Sequence, residues 1–234
     1  MREKCLIVLG MHRSGTSCLT GIAEQCGVML GEVFTENPHN KKGNRESAKI
    51  QELNNDVLRT NGGAWDRPVD VTRWTTDQSK RRDEILDGFR QGYGLWWGFK
   101  DPRAVLTLPF WLEAIGDPRF IGTYRHPYYV ALSLEARNQM TLDDSYKLWQ
   151  TYNERIITYI ERFEFQLVDF DLDDREYRKD VADKLQRLGL KSQSNESFFD
   201  PELRTHSRGS LEDCNLPTSV TEIYQKLKTM HAVL

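Results

Sequence analysis

The chain has 234 residues, enough for one large domain or two small ones and a core of ordinary size. Its net charge is −3 and its pI about 6.0, which excludes a broad nucleic-acid-binding surface as its main business but leaves room for a local basic pocket. Four cysteines (Cys5, Cys18, Cys26, Cys214) show neither C-x-x-C nor metal spacing, and only Cys5 to Leu9 form an apolar run before Gly10. Reduced thiols, no secretory or membrane segment and a cytoplasmic location are therefore expected.

Leu6 to Leu9 is apolar and too short for a buried helix, so it reads as a buried strand. It runs into Gly10-Met-His-Arg13-Ser14-Gly15-Thr16-Ser17, and a helix follows from Ser17 to Cys26, with Leu19, Ile22, Ala23 and Cys26 on one face and Gly27 at its end. The loop matches the two glycines and the hydroxyl of the nucleotide-binding pattern G-x-x-x-x-G-K-[ST], but has Thr16 where that pattern has Lys. Glycines let backbone N–H groups converge on an oxyanion, and the helix adds its positive end. A cradle without the Lys that reaches β- and γ-phosphates suits a ligand with a single anionic group there. Arg13 puts a cation at the loop's tip.

Val28 to Leu30 is short and apolar, a possible second strand. Glu36 to Glu46 is rich in turn formers and includes His39; it is either an insertion or a piece of site wall. Ser47 to Leu58 reads as a helix, Gly62-Gly63 with Trp65 and Pro68 as a loop, and Thr75 to Phe89 as a charged surface helix. Leu95 to Phe99 is the next buried strand. It ends at Lys100-Asp101-Pro102-Arg103, ahead of a helix from Val105 to Ile115, and this is the rim where α/β folds bind ligands.

Arg119 to Tyr124 is a further strand, followed by Arg125-His126-Pro127 and a helix from Tyr128 to Asn138 that has Pro well placed at its start. Ser133 falls eight residues after Arg125, about two turns into that helix. A long helix (Leu142 to Phe163) whose aromatics read as core, a fifth strand (Phe165 to Phe170) and a helix from Arg175 to Leu188 come next. A polar tail (Ser192 to Pro217) carries Arg204, His206 and Arg208 ahead of a last helix from Ser219 to His231. No repeat or linker interrupts the pattern. The expected fold is α/β, a single domain over 1–234 with a five-stranded parallel sheet flanked by helices and a P-loop-like turn after the first strand.

His12-Arg13-Ser14-Gly15-Thr16-Ser17 resembles the 5′-phosphosulfate loop of the sulfotransferases that use 3′-phosphoadenosine 5′-phosphosulfate (PAPS), whose core is [K/R]-[S/G]-G-T-[S/T]. Arg125-His126-Pro127 with Ser133 resembles that family's 3′-phosphate motif, R-x-P followed by Ser at the same spacing. Asn37-Pro38, Gly43 and Glu46 resemble its bacterial Asn-Pro-x-Gly-x-x-Glu segment, here two residues longer, and Lys100-Asp101-Pro102 resembles its Lys-Asp-Pro sequence. Leu203-Arg204-Thr-His206-Ser-Arg208 resembles a late basic stretch.

The resemblance implies a soluble, bacterial-type enzyme that moves a sulfuryl group from PAPS to an acceptor hydroxyl or amine, leaves adenosine 3′,5′-bisphosphate (PAP) and needs no metal. It implies Glu46 as the base, with His39 next in line, and Arg13 and Lys100 as the cations on the transferring group. Backbone amides from Ser14 to Ser17, including Gly15 and Thr16, would hold the 5′-phosphate. Arg125 and Ser133 would hold the 3′-phosphate, joined by Arg204 or Arg208. The acceptor is left open among glycan, lipid and small metabolite. Two other readings stay open: a nucleotide kinase with a degenerate loop, and a nucleotide-binding module without catalysis.

Overall fold

In the computed structural model, described for residues 3–36, 42–91, 95–191, 198–200 and 215–233, the first apolar run becomes the middle strand of the sheet. Strand β1 (Lys4–Leu9) lies between β3 (Trp96–Lys100) and β4 (Pro118–Tyr124), with β2 (Val28–Met29) and β5 (Gln166–Asp169) at the edges, in the order β2-β3-β1-β4-β5. Every pairing is parallel, as the sequence pattern predicts.

The run is continuous because both faces of β1 are covered. Cys5, Ile7 and Leu9 pack with Ile50, Leu53 and Val57 of α2 (Ala48–Thr60), with α4 (Ala104–Leu112) and with α6 (Leu142–Phe163). Leu6 and Val8 face the other way, onto Leu19 and Ala23 of α1 (Thr16–Gln25) and Val181 and Leu185 of α7 (Asp174–Arg187). Helices α3 (Thr76–Arg90), α5 (Pro127–Asn138) and α8 (Thr218–Val233) complete the layers. No helix among the described residues is long and apolar enough to cross a membrane.

Chain order places the site. From β1 the chain visits β2 and β3 on one side, then turns to β4 and β5 on the other, so a crevice opens where the loops leaving β1, β3 and β4 diverge. Lys100 is itself the last strand residue, in register with Val8, and is thus fixed by the ladder rather than by a loop. Helix α4 ends at Leu112, short of the expected Ile115, in a turn tightened by the Ala114 amide, which donates three residues back to the Trp111 carbonyl. The aromatics of α6 are core, as expected, yet two of them also brace the crevice. Trp149 Nε1 donates to the Arg125 carbonyl at 3.0 Å, and Tyr152 Oη donates to the Trp65 carbonyl at 2.9 Å.

A polar pin joins α2 to α4 beneath the crevice. Buried Asn54 accepts from Thr107 Oγ1 at 2.7 Å and from Trp111 Nε1 at 2.8 Å. Asn54→Leu keeps the volume but strands the indole N–H, because Thr107 retains its bond to the Arg103 carbonyl. The expected cost is about 1–3 kcal/mol in urea denaturation; an unchanged midpoint would mean that the pin contributes nothing.

Candidate active site

The loop after β1 is wound tightly. Arg13 has φ 65° and Gly15 φ 79°, both in the left-handed region, and a Cβ on Gly15 would run into the Phe170 ring. A side chain on Gly10 would meet the Thr123 carbonyl at 2.9 Å. Thr123 Oγ1 ties the loop down from β4 by donating to the Ser14 carbonyl at 3.0 Å. Helix α1 starts at Thr16 with no side-chain cap, whereas Thr75, Thr141 and Asp173 cap α3, α6 and α7. The amides of its first turn have no intrahelical acceptor, and the helix dipole adds to their positive field. Ser14 Oγ is enclosed beside them without a hydrogen-bond partner among the described residues. The cradle thus offers donors to an anion.

Arg13 caps it. Its Nε donates to Ser133 Oγ at 2.6 Å, across 120 residues of sequence, and among the described residues it has no carboxylate partner. Burial first, then the charges of Arg137 and Arg125, lower its pKa to about 10, so it remains charged at neutral pH. Arg137 stands one helical turn past Ser133 on α5, exposed, and makes no hydrogen bond or ion pair among the described residues.

Arg125, just past β4, is held from several sides. Its Nε donates to Asp171 Oδ1 at 3.3 Å and its Nη1 to the Arg13 carbonyl at 3.4 Å, while its guanidinium lies 5.3 Å from the Phe170 ring centre and 5.5 Å from that of Tyr129. Asp171 also accepts from the His126 amide at 2.6 Å. Asp169 holds Asp171 in turn, accepting from its amide at 2.9 Å and from Tyr124 Oη at 3.0 Å.

Across the loop, Lys100 Nζ donates to Glu46 Oε1 at 2.6 Å and to Ser17 Oγ at 3.3 Å. The side chains of Lys100 and Glu46 are only 1% and 9% exposed. Gln51 Nε2 donates to Glu46 Oε2 at 3.0 Å. Glu46 precedes Ser47, the N-cap of α2, so it is not simply a first-turn acid placed for the helix dipole. The neighbouring Asp101–Arg103 turn forms as well, with Arg103 Nη1 3.0 Å from Asp101 Oδ1 and Arg103 Nε donating to Asn55 Oδ1 at 2.8 Å. Burial raises the Asp101 pKa while Arg103 holds it down.

The structure therefore brings Arg13, Ser14, Gly15, Thr16, Ser17, Glu46, Lys100, Arg125 and Ser133 around one loop. His39, Arg204 and Arg208 lie outside the described residues. Arg137, Asp171 and His12 were not singled out from the sequence. Of these only Arg137 has a local signal, its four-residue spacing from Ser133.

The Lys100–Glu46 pair should be strongly coupled. Glu46→Leu or Lys100→Met alone leaves one buried charge uncompensated and should cost about 3–5 kcal/mol, whereas the two together should recover most of it. Urea denaturation of the two single variants and the double variant checks this; additive losses would show that the charges do not sense each other.

No family model and no curated protein matches the chain. Solved structures do. The sulfotransferase domain from the Synechococcus PCC 7002 olefin synthase is similar with a TM-score of 0.59 and 16% identity, over 99% of this chain and 96% of that one. The sulfotransferase domain from the curacin biosynthetic pathway gives 0.51 and 13%, over 97% and 99%. Sulfotransferase STF9 from Mycobacterium avium gives 0.50 and 15%, over 100% of this chain and 76% of that one. The chain has the sulfotransferase fold.

Proposed function

We propose that the chain is a sulfotransferase that moves the sulfuryl group of PAPS to an acceptor hydroxyl or amine on a glycan, lipid or small metabolite. The observation that carries this is the pairing of two anion-seeking poles around the loop after β1. One is the uncapped start of α1 with Arg13 and Lys100; the other is Arg125 with Ser133 and Arg137. A nucleotide with a 5′-phosphosulfate and a separate 3′-phosphate matches two poles better than a triphosphate chain does.

Within this reading the amides from Ser14 to Ser17 hold the 5′-phosphate, and Arg125, Ser133 and Arg137 hold the 3′-phosphate. Ser133 already accepts from Arg13, so a 3′-phosphate at Ser133 and the loop cation share one hydroxyl. In the transfer, the acceptor oxygen bonds to sulfur as the bond from sulfur to the bridging phosphate oxygen breaks, and PAP leaves. Arg13 and Lys100 offset the charge that builds on that oxygen and on the sulfuryl group. Glu46, held by Lys100, takes the acceptor's proton. Positioning and electrostatics do the work, as in phosphoryl transfer.

The kinase alternative finds less support. Thr16 stands where a Lys would reach the phosphates, β4 runs into Arg125, and the carboxylate just past β3, Asp101, is taken by Arg103. A module without catalysis is distinguished by turnover.

Adenosine 3′,5′-bisphosphate should raise the melting temperature without magnesium, and Arg125→Ala or Arg137→Ala should weaken it by about 2–4 kcal/mol while leaving adenosine 5′-monophosphate little affected. Stabilisation by ATP–magnesium alone would overturn the reading. With any productive acceptor, Glu46→Gln should retain bisphosphate affinity and lose about 10²–10⁴-fold in turnover. Near-normal rates would remove Glu46 as base and bring His39 forward.

A further inference from the structure

Glycine inside a helix costs stability relative to alanine, yet α1 carries Gly21 at its middle. The packing supplies a reason. A Cβ at Gly21 would sit 2.4 Å from the Phe198 ring, so the glycine is a notch that admits a ring from a segment distant in sequence. The Phe198 backbone is fastened on both sides of that notch. Its amide donates to Gln25 Oε1 of α1 at 2.8 Å, and its carbonyl accepts from Lys42 Nζ at 2.8 Å, across 156 residues. Beside it, Phe199 is buried against the Tyr177 ring of α7, with centroids 5.0 Å apart.

Arg45 closes over the same ring. Its guanidinium lies 4.8 Å from the Phe198 ring centre, its Nε donates to Glu24 Oε2 of α1 at 2.8 Å, and its Nη1 donates to the Lys42 carbonyl at 2.7 Å. Arg45 has φ 55°, a left-handed conformation that a residue with a side chain keeps only where its surroundings over-determine it. A part-exposed ion pair such as Arg45–Glu24 contributes little by itself. What distinguishes Arg45 is that an ion pair, a ring and a carbonyl converge on one strained residue. The next residue is Glu46. Its carbonyl accepts from the Phe34 amide at 3.0 Å, and the Arg45 amide donates to the Phe34 carbonyl at 3.1 Å. From Ser47 onward α2 fixes the chain, so the approach to Glu46 is set from the Arg45 side.

We propose that Phe198 is a positioning residue: seated in the Gly21 notch, it holds Arg45 left-handed, and Arg45 thereby aims the Glu46 carboxylate at Lys100. The inference rests on the sulfotransfer reading, in which Glu46 is the base, and it ties that base to α1, the helix whose start forms the anion cradle. Were Arg45 to relax to the right-handed region, the chain entering Glu46 would turn, and the carboxylate would leave its 2.6 Å contact with Lys100 Nζ.

The test needs no acceptor. The urea-denaturation cycle of Glu46→Leu, Lys100→Met and the double variant is run in the full chain and repeated in chains carrying Phe198→Ala or Gly21→Ala. Gly21→Ala improves α1 as a helix and fills the notch, so it unseats the ring without weakening the helix. In both backgrounds the coupling between Glu46 and Lys100 should fall by about half or more. Adding Arg45→Asn to Phe198→Ala should recover part of it, because Asn takes the left-handed conformation more readily than Arg. Coupling unchanged in both backgrounds would overturn the proposal and leave Phe198 a packing residue. Coupling that falls without recovery by Arg45→Asn would overturn it too, since the loss would not pass through the Arg45 backbone. Affinity for adenosine 3′,5′-bisphosphate should change by less than about twofold in the Phe198→Ala and Gly21→Ala chains; a loss that tracks the coupling would mean that Phe198 shapes the anion cradle instead. Failure of the unaltered chain to bind the bisphosphate would count against the sulfotransfer reading, while the cycles still judge Phe198.

Discussion

Arg13 is a guanidinium placed where like charges are expensive. It is mostly buried, its partner is a hydroxyl rather than a carboxylate, and the charges nearest in effect are those of two more guanidiniums, Arg137 and Arg125. Like charges gathered in a half-buried site repel one another more strongly than they would in water. The fold tolerates this because the surrounding structure over-determines the loop. Thr123 holds it from β4, the Gly15 backbone lies against Phe170, and the β1 ladder fixes its start. The strain at Arg13, whose φ is positive, belongs to the same arrangement. A site of this kind is stabilised by an anion and is incomplete without one.

The other cations are treated differently, and the difference assigns them roles. Arg125 is turned by Asp171 and lies between two rings, which sets its orientation before any ligand arrives and lowers the ordering cost of binding. Lys100 is balanced by Glu46, so the pair adds little net charge to the crevice. Arg103 is spent on Asp101 and Asn55 and serves the scaffold. Bare, oriented and masked cations therefore share one crevice, and only the bare ones set its net appetite for negative charge.

What the sequence displayed was the chemistry that is local along the chain. Gly10, Gly15 and Ser17 mark a tight anion loop because their spacing follows from backbone sterics, and Arg125 and Ser133 read as a unit because one follows a strand and the other lies two turns into the next helix. The buried runs of β1 and β3 gave the parallel sheet through their unbroken apolarity. The pairings across long stretches of sequence were not legible. Lys100 meets Glu46 across 54 residues and Arg125 meets Asp171 across 46, and no periodicity encodes either meeting. His12 looked like a loop residue of no note, because only the packing of α6 and the Trp65 loop makes its nitrogen solitary.

That contrast bears on which parts of the crevice can change without disturbing the sheet. The loop after β1 depends on backbone and on residues locked to β1, β3, β4 and α5, so substitution there disturbs the middle of the sheet. The wall over His12 depends on a loop between two glycines and α3, attached through Asn61 to Arg73 and through Tyr152 to Trp65. Loops of that kind accept change at small cost to the core. Trp65 and its neighbours can therefore change while the loop that carries Arg13 stays fixed by the strands beneath it.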